Sequence, residues 1–349
     1  MGENILNKDI AFGNVFINKN TIKIVDKIIS NAIKQKASDI HILDYYGKCI
    51  IQYRVFGILH ELEDNTYIAS EIISRIKIMA KMNVAEKRLT QDGSISFDNY
   101  DLRVCVIPSI SGESVVIRIL NSQLDDLSLK GLGFSYDIIQ KILISINKPY
   151  GLILITGATG SGKSTTLLSL TKMLSTYNKK IISIEDPVEN KVKDVIQVQV
   201  NENIGLDFPT ILRSSLRADP DIIIVSEIRD EITAQIAIRA SLTGHLVLAT
   251  LHTNDSISTF SRLIDMNIPK YLLLDSLNLI ISQRLLTKND NKNISGRLLV
   301  SEAILLDDNA RDIFNKYELK IDILNELKKI GFKTMEEDLY EKGYNLWLW

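Results

Sequence analysis

Apolar residues recur three and four apart across residues 21 to 37, at Ile22, Val25, Ile28, Ile29 and Ala32, and this spacing predicts a helix with one covered stripe. Shorter alternating runs follow at residues 40–43, 49–55, 94–97, 102–107 and 115–120, the period of strands buried on one face. Two of the gaps, near 98–101 and 109–113, are filled with Asp, Asn, Ser and Gly, which suit hairpin turns. With a second helical stretch at 69–82, residues 21–120 read as a small α+β domain. Residues 1–20 are an N-terminal extension. Residues 121–130 open with the aperiodic polar run Asn121-Ser-Gln-Leu-Asp-Asp-Leu-Ser128 and serve as a linker.

Beyond the linker the pattern changes. Residues 151–156, 180–184, 195–200, 222–225 and 246–250 are short aliphatic runs without alternation, as expected for strands covered on both faces. Residues 164–174, 209–216, 231–242 and 256–265 between them carry helical spacing. Strand and helix in turn imply a mainly parallel sheet with right-handed crossovers, so residues 131–349 read as an α/β domain with a helical C-terminal part. That part is expected to be helical from 320 to about residue 343, and its terminal Tyr344-Asn-Leu-Trp-Leu-Trp349 is expected to pack on the chain's own surface or on a neighbouring subunit.

Composition narrows the function classes. A length of 349 residues suits two domains rather than one. Lys and Arg total 41 against 43 Asp and Glu, and the signs are balanced in both parts: 16 basic and 16 acidic residues precede position 131, and 25 and 27 follow. No basic stripe for direct nucleic-acid binding is present. The longest apolar stretch, residues 271–286, is interrupted by Asp275, Asn278 and Arg284, so no transmembrane segment is expected. The first residues lack the pattern of a signal peptide, and Cys49 and Cys105 sit singly among apolar neighbours, as reduced cysteines of a cytoplasmic protein would.

The chemistry concentrates at strand ends. Gly157-Ala-Thr-Gly-Ser-Gly-Lys163-Ser164 follows one apolar run and opens a helix, which is the phosphate-loop arrangement. Glycines let successive N–H groups turn inward, and the helix N-terminus adds positive partial charge, so the loop forms a nest for phosphate oxygens. Lys163 is then placed for the β and γ phosphates of ATP and Ser164 for Mg²⁺. Two other runs end in acids, Glu185-Asp186 and Glu227. In parallel sheets ligands bind beyond the carboxyl ends of the strands, where one acid can orient the metal and another polarise the attacking water. An acid after a strand also commonly caps the next helix. A third run ends Thr250-Leu-His252-Thr253, whose hydroxyls and imidazole are suited to sensing the γ phosphate; His245 is more simply a cap on the preceding helix.

Together these segments resemble the secretion ATPase superfamily of type II secretion systems, type IV pili and competence systems, in its PilB/GspE branch, over residues 21 to about 305. Its Walker A box matches Gly157 to Thr165, its Asp box Ile184-Glu-Asp-Pro-Val-Glu189, its Walker B box Asp219 to Asp230 and its His box Thr243 to Thr253. Upstream, Lys36-Ala-Ser-Asp-Ile-His41, Arg54-Val-Phe-Gly57, Arg88-Leu-Thr-Gln-Asp-Gly93 and Gly112-Glu-Ser-Val-Val-Ile-Arg-Ile119 resemble the family's second N-terminal domain and favour its assembly branch. The resemblance implies a RecA-like P-loop ATPase domain preceded by a PAS-like α+β domain. Gly157, Thr159, Gly160, Ser161, Gly162, Lys163, Ser164 and Thr165 would bind ATP. Glu185 would be the general base, Glu227 the Walker B carboxylate, which shares Mg²⁺ with Ser164, and His252 the γ-phosphate contact.

Arg88 and Arg103, from the first domain, and Arg213 and Arg217 would complete the nucleotide site in a homo-hexamer. The resemblance further implies a cytoplasmic motor, peripheral at the membrane through an inner-membrane platform protein, that assembles pilin-like subunits. Three departures stand out. Position 226 is Ser where the family usually has Gly, residues 283–297 contain none of the cysteines of the branch's zinc element, and with about 20 residues ahead of the first helix the family's N-terminal docking domain is not expected.

Overall fold

Burial explains which of these runs become strands. In a computed structural model of the chain the described residues are 10–12, 15–17, 19–62, 67–120, 126–290 and 293–344. They divide into two units, Met1–Leu124 and Asp125–Trp349. The linker's first half, residues 121–125, most of the N-terminal extension and the terminal residues 345–349 lie outside the described residues.

The first unit opens with the antiparallel pair β1 (Ile10–Phe12) and β2 (Val15–Ile17), then α1 (Lys19–Lys34). The expected helix to residue 37 stops earlier, because Lys36 takes a left-handed φ of 56° and Ala37 already begins a strand. Strands β3 (Ala37–Tyr45), β4 (Lys48–Val55) and β5 (Ile58–Glu61) precede α2 (Ala69–Met79); β6 (Gln91–Phe97), β7 (Tyr100–Ser109) and β8 (Gly112–Leu120) follow it. They form a six-stranded sheet in the order β5-β4-β3-β8-β7-β6, antiparallel throughout. The period-two alternation turns Ile40, Ile42, Ile51, Val104 and Ile117 to the side covered by Val25, Ile29, Ile72 and Ile76 of the two helices. Tyr53 crosses this core and donates its hydroxyl to Ile28 O at 2.7 Å. Of the two cysteines, Cys49 is buried and Cys105 half-buried, and both are free.

The second unit runs α3 (Tyr136–Ile146), β9 (Gly151–Thr156), α4 (Lys163–Leu174), β10 (Ile181–Glu185), β11 (Val195–Gln199), α5 (Phe208–Ser215), β12 (Ile222–Val225), α6 (Glu231–Leu242), β13 (Leu246–Leu251), α7 (Ser256–Asp265) and α8 (Lys270–Ser276). It continues with β14 (Leu277–Asp290), β15 (Asn293–Leu305), α9 (Asp308–Lys316), α10 (Lys320–Lys329) and α11 (Met335–Glu341). The seven strands lie in the order β11-β10-β12-β13-β9-β14-β15, and every neighbouring pair is parallel except β14 with β15. This is the expected α/β domain with a mainly parallel sheet.

Alternate residues of each strand face opposite helix layers. Leu154, Ile223 and Val247 pack with α5, α6 and α7, while Ile153, Ile224 and Leu248 pack with α3 and α4. Because β9, β10, β12 and β13 are parallel, their carboxyl ends share one edge of the sheet, and the phosphate loop, Glu185, Glu227 and His252 come to that edge. The C-terminal helix expected over 320–343 is two helices instead. Gly331, at φ 89°, ends α10, and a capping box of Thr334 and Glu337 starts α11. Tyr344, like Leu286 and Leu298 of β14 and β15, packs against the buried cluster of Val300, Met335 and Leu339.

Candidate active site

The phosphate loop joins β9 to α4 with a backbone that its glycines permit. Gly157 has φ 148°, and a Cβ there would meet Gln283 O at 2.3 Å. Gly162 caps α4 in the left-handed region at φ 91°, without a side-chain cap. The first intrahelical bond runs from Thr166 N to Gly162 O, so the amides of Lys163, Ser164 and Thr165 have no partner within the helix. Ser161 is buried and its Oγ has no hydrogen-bond partner, whereas Thr159, Gly160 and Ser164 are exposed and Thr165 is half-buried. Amides without intrahelical partners, an orphaned buried hydroxyl and a buried lysine fit a polyphosphate.

Lys163 lies inside the nest, 8% exposed, and donates to Gly157 O at 2.9 Å and Ala158 O at 3.0 Å. Burial pushes its pKa below the ordinary lysine value, and the nearby Glu227 carboxylate partly opposes that shift. Its Nζ is 3.4 Å from His252 Nδ1. An ammonium can only donate, so Nδ1 is the ring nitrogen that can accept from Lys163, and Nε2 faces Glu227 Oε2 at 3.5 Å. The phosphate loop, the Walker B acid and the His box therefore form one chain of contacts.

The other acid is held separately. Glu185 Oε1 accepts from Ser183 Oγ and from Gln197 Nε2, each at 2.8 Å, which orients the carboxylate from its own strand and from β11. The strand ends are stapled to each other. Ser226 N donates to Ile184 O at 2.9 Å, Thr250 Oγ1 donates to Ser226 O, and Ile228 N donates to Thr250 O at 2.9 Å. Ser226 is absent from the residues with left-handed φ, so this site accepts a side chain where the family has Gly.

Sequence reasoning missed two participants. Arg229 pairs with Glu227 and places Nη1 3.1 Å from Asp186 Oδ2, bridging acids from two strands. Its position two residues after Glu227 was the available signal. Gln283 of β14, read only as part of a segment without cysteines, is fully buried against the phosphate loop and donates to Ser161 O at 2.8 Å.

The candidate arginines are placed differently. Arg213 and Arg217 are exposed at the end of α5, and Arg217 bonds locally to Arg213 O and Ser214 Oγ, each at 3.3 Å. Arg88 and Arg103 belong to the first unit. Arg88 is exposed and pairs with Glu86 at 3.0 Å, and Arg103 on β7 stands opposite Arg118 and Ser94 in register. His245 caps α6, with Nδ1 3.1 Å from Ala240 O.

Oxygen donors beside the loop, Ser164 on α4 and Glu227 just after β12, suit a hard cation. Among the described residues no group of three or more His, Cys, Asp or Glu gathers in a metal-binding cluster.

The sequence model of the type II/IV secretion system protein family matches residues 18–342. The type II secretion system protein E of Xanthomonas campestris pv. campestris is 45% identical over 277 residues, 78% of this chain and 49% of the relative. The type IV pilus assembly ATPase PilB of Myxococcus xanthus is 44% identical over 270 residues, 76% of this chain and 48% of the relative. The chain thus spans about half the length of these two curated relatives. Among solved structures, the pilus retraction motor PilT with bound ADP superposes with a TM-score of 0.69 at 31% identity, covering 91% of this chain and 92% of that one. The Legionella pneumophila ATPase DotB, at 23% identity and TM-score 0.74 over 97% and 96% of the two chains, shares the fold. On the match over nearly its whole length, with the four motifs meeting at one sheet edge, this chain belongs to the type II/IV secretion system protein family and to its GspE/PilB-type ATPases.

Proposed function

We propose that the chain hydrolyses ATP with Mg²⁺ and, as a cytoplasmic homo-hexamer held at the membrane through an inner-membrane platform protein, drives assembly of pilin-like subunits. One observation carries the reading: Lys163, His252 and Glu227 are in continuous contact at the mouth of the phosphate loop. When ATP enters, Lys163 exchanges the carbonyls of Gly157 and Ala158 for phosphate oxygens, and the amides of the first turn of α4 bind beside it. Ser164 and Glu227 would hold Mg²⁺, which would supply positive charge against the phosphates. Glu185, fixed by Ser183 and Gln197, takes the proton of the attacking water, and His252 senses the terminal phosphate. Arg88, Arg103, Arg213 and Arg217 add positive charge around the triphosphate within the hexamer, a role that rests on the family resemblance.

The expected behaviour of Glu227→Gln is retained ATP binding with phosphate release at least about a hundredfold slower, since positioned acid–base and metal-orienting groups each contribute on that order. Turnover equal to wild type would remove Glu227 from the reaction. The likeness to PilT supports a second reading, retraction rather than assembly. Deleting the gene separates them: loss of surface fibres indicates assembly and excess fibres retraction. Ser226, a side chain where the family has Gly, supports a third reading, an ATP-binding regulator with little hydrolysis, and ATP binding without phosphate release would favour it.

A further inference from the structure

Among the described residues, Gln283 is a buried polar group outside the four motifs that is bonded at both ends to the phosphate loop region. Register sets this up. Ser282 on β14 stands opposite Thr156, the last residue of β9, so Gln283 falls beside the first residue of the loop. Its carbonyl oxygen lies against Gly157, and its side-chain amide turns along the loop. Nε2 donates to Ser161 O at 2.8 Å, and Oε1 accepts from Thr166 Oγ1 at 3.0 Å. Gln283 and Thr166 are 1% and 2% exposed, so both bonds are shielded from water.

We propose that Gln283 is the positioning residue that holds the phosphate loop in its phosphate-binding shape, resting on the reading that this loop binds nucleotide. A buried amide without partners is costly, so a glutamine bonded at both ends favours one loop geometry over its alternatives. The two bonds fix Ser161 and Thr166 from a single point on the neighbouring strand, and the residues between them are Gly162, Lys163, Ser164 and Thr165. Drift of Ser161 would turn the amide nest away from a common centre and release Lys163. Gln283 itself touches no substrate in this scheme and acts through the loop.

The test is ADP binding to the full-length chain by titration calorimetry, for wild type, Q283M, Q283E and T166V, with Lys163→Ala as the control. Q283M keeps the volume and loses both bonds, leaving Ser161 O and Thr166 Oγ1 unsatisfied; ADP affinity is expected to fall at least about tenfold, and the melting temperature without nucleotide to fall as well. Q283E carries no donor toward Ser161 O when ionised. Its deficit relative to wild type is therefore expected to shrink as pH falls and the Q283E carboxyl gains a proton, a dependence that loss of packing would not produce. T166V removes only the Oε1 partner and is expected to give a smaller loss, and it carries the test with Q283E if Q283M does not fold. Wild-type affinity in Q283E at every pH, with T166V unchanged, overturns the assignment. Failure of wild type itself to bind ADP overturns the nucleotide reading as well.

Discussion

The residue that most directly reports on this site is Lys163. Buried in the nest, its ammonium loses solvation, and its pKa is displaced downward. Bound phosphate restores favourable charge, so the pKa must rise on binding. The sign follows: in alkaline buffer the free protein has lost part of the Lys163 proton, ADP binding takes protons up, and affinity falls as pH rises through the lowered pKa. Calorimetry in buffers of differing ionisation heat is expected to show this uptake, and its absence would mean that Lys163 stays fully charged before binding. Lys163, Glu227 and His252 were legible because each sits in a local motif. Arg229 and Gln283 were not, since what defines them is a partner from another strand: Asp186 for the first, the carbonyl of Ser161 for the second.

At the scale of elements, burial on both faces made β9, β10, β12 and β13 readable as uninterrupted aliphatic runs. β5 was not readable because all four of its residues are exposed and leave no alternation. β14 escaped for the opposite reason: Asn278, Ser282 and Gln283 break its apolar run, yet all are buried and used for hydrogen bonds. Acids at strand ends proved to be of two kinds. Glu185 and Glu227 stay at the site, whereas Asp230, Asp207 and Asp255 cap α6, α5 and α7. Asp230 accepts from Thr233 N and Thr233 Oγ1, each at 2.8 Å. Asp230→Ala should cost about 1 kcal/mol of stability, the usual worth of such a cap, read from the midpoint of urea unfolding. An unchanged midpoint would argue that the acid serves the site instead.

For the whole molecule, the chain divides after Leu124 into two units, one an antiparallel sheet with its helices and the other a mainly parallel α/β sheet that carries the phosphate loop. No helix among the described residues is long and apolar enough to cross a membrane. The residues that bond Lys163, His252 and Glu227 all come from the second unit, and the resemblance adds arginines from the first only through the hexamer. The claim on which motor, partner and hexamer depend is that this loop drives ATP turnover. Steady-state phosphate release from Mg-ATP by purified wild type, beside Lys163→Ala with an unchanged circular dichroism spectrum, tests it: release by wild type and background in the variant is the predicted result, and equal release by both would contradict it.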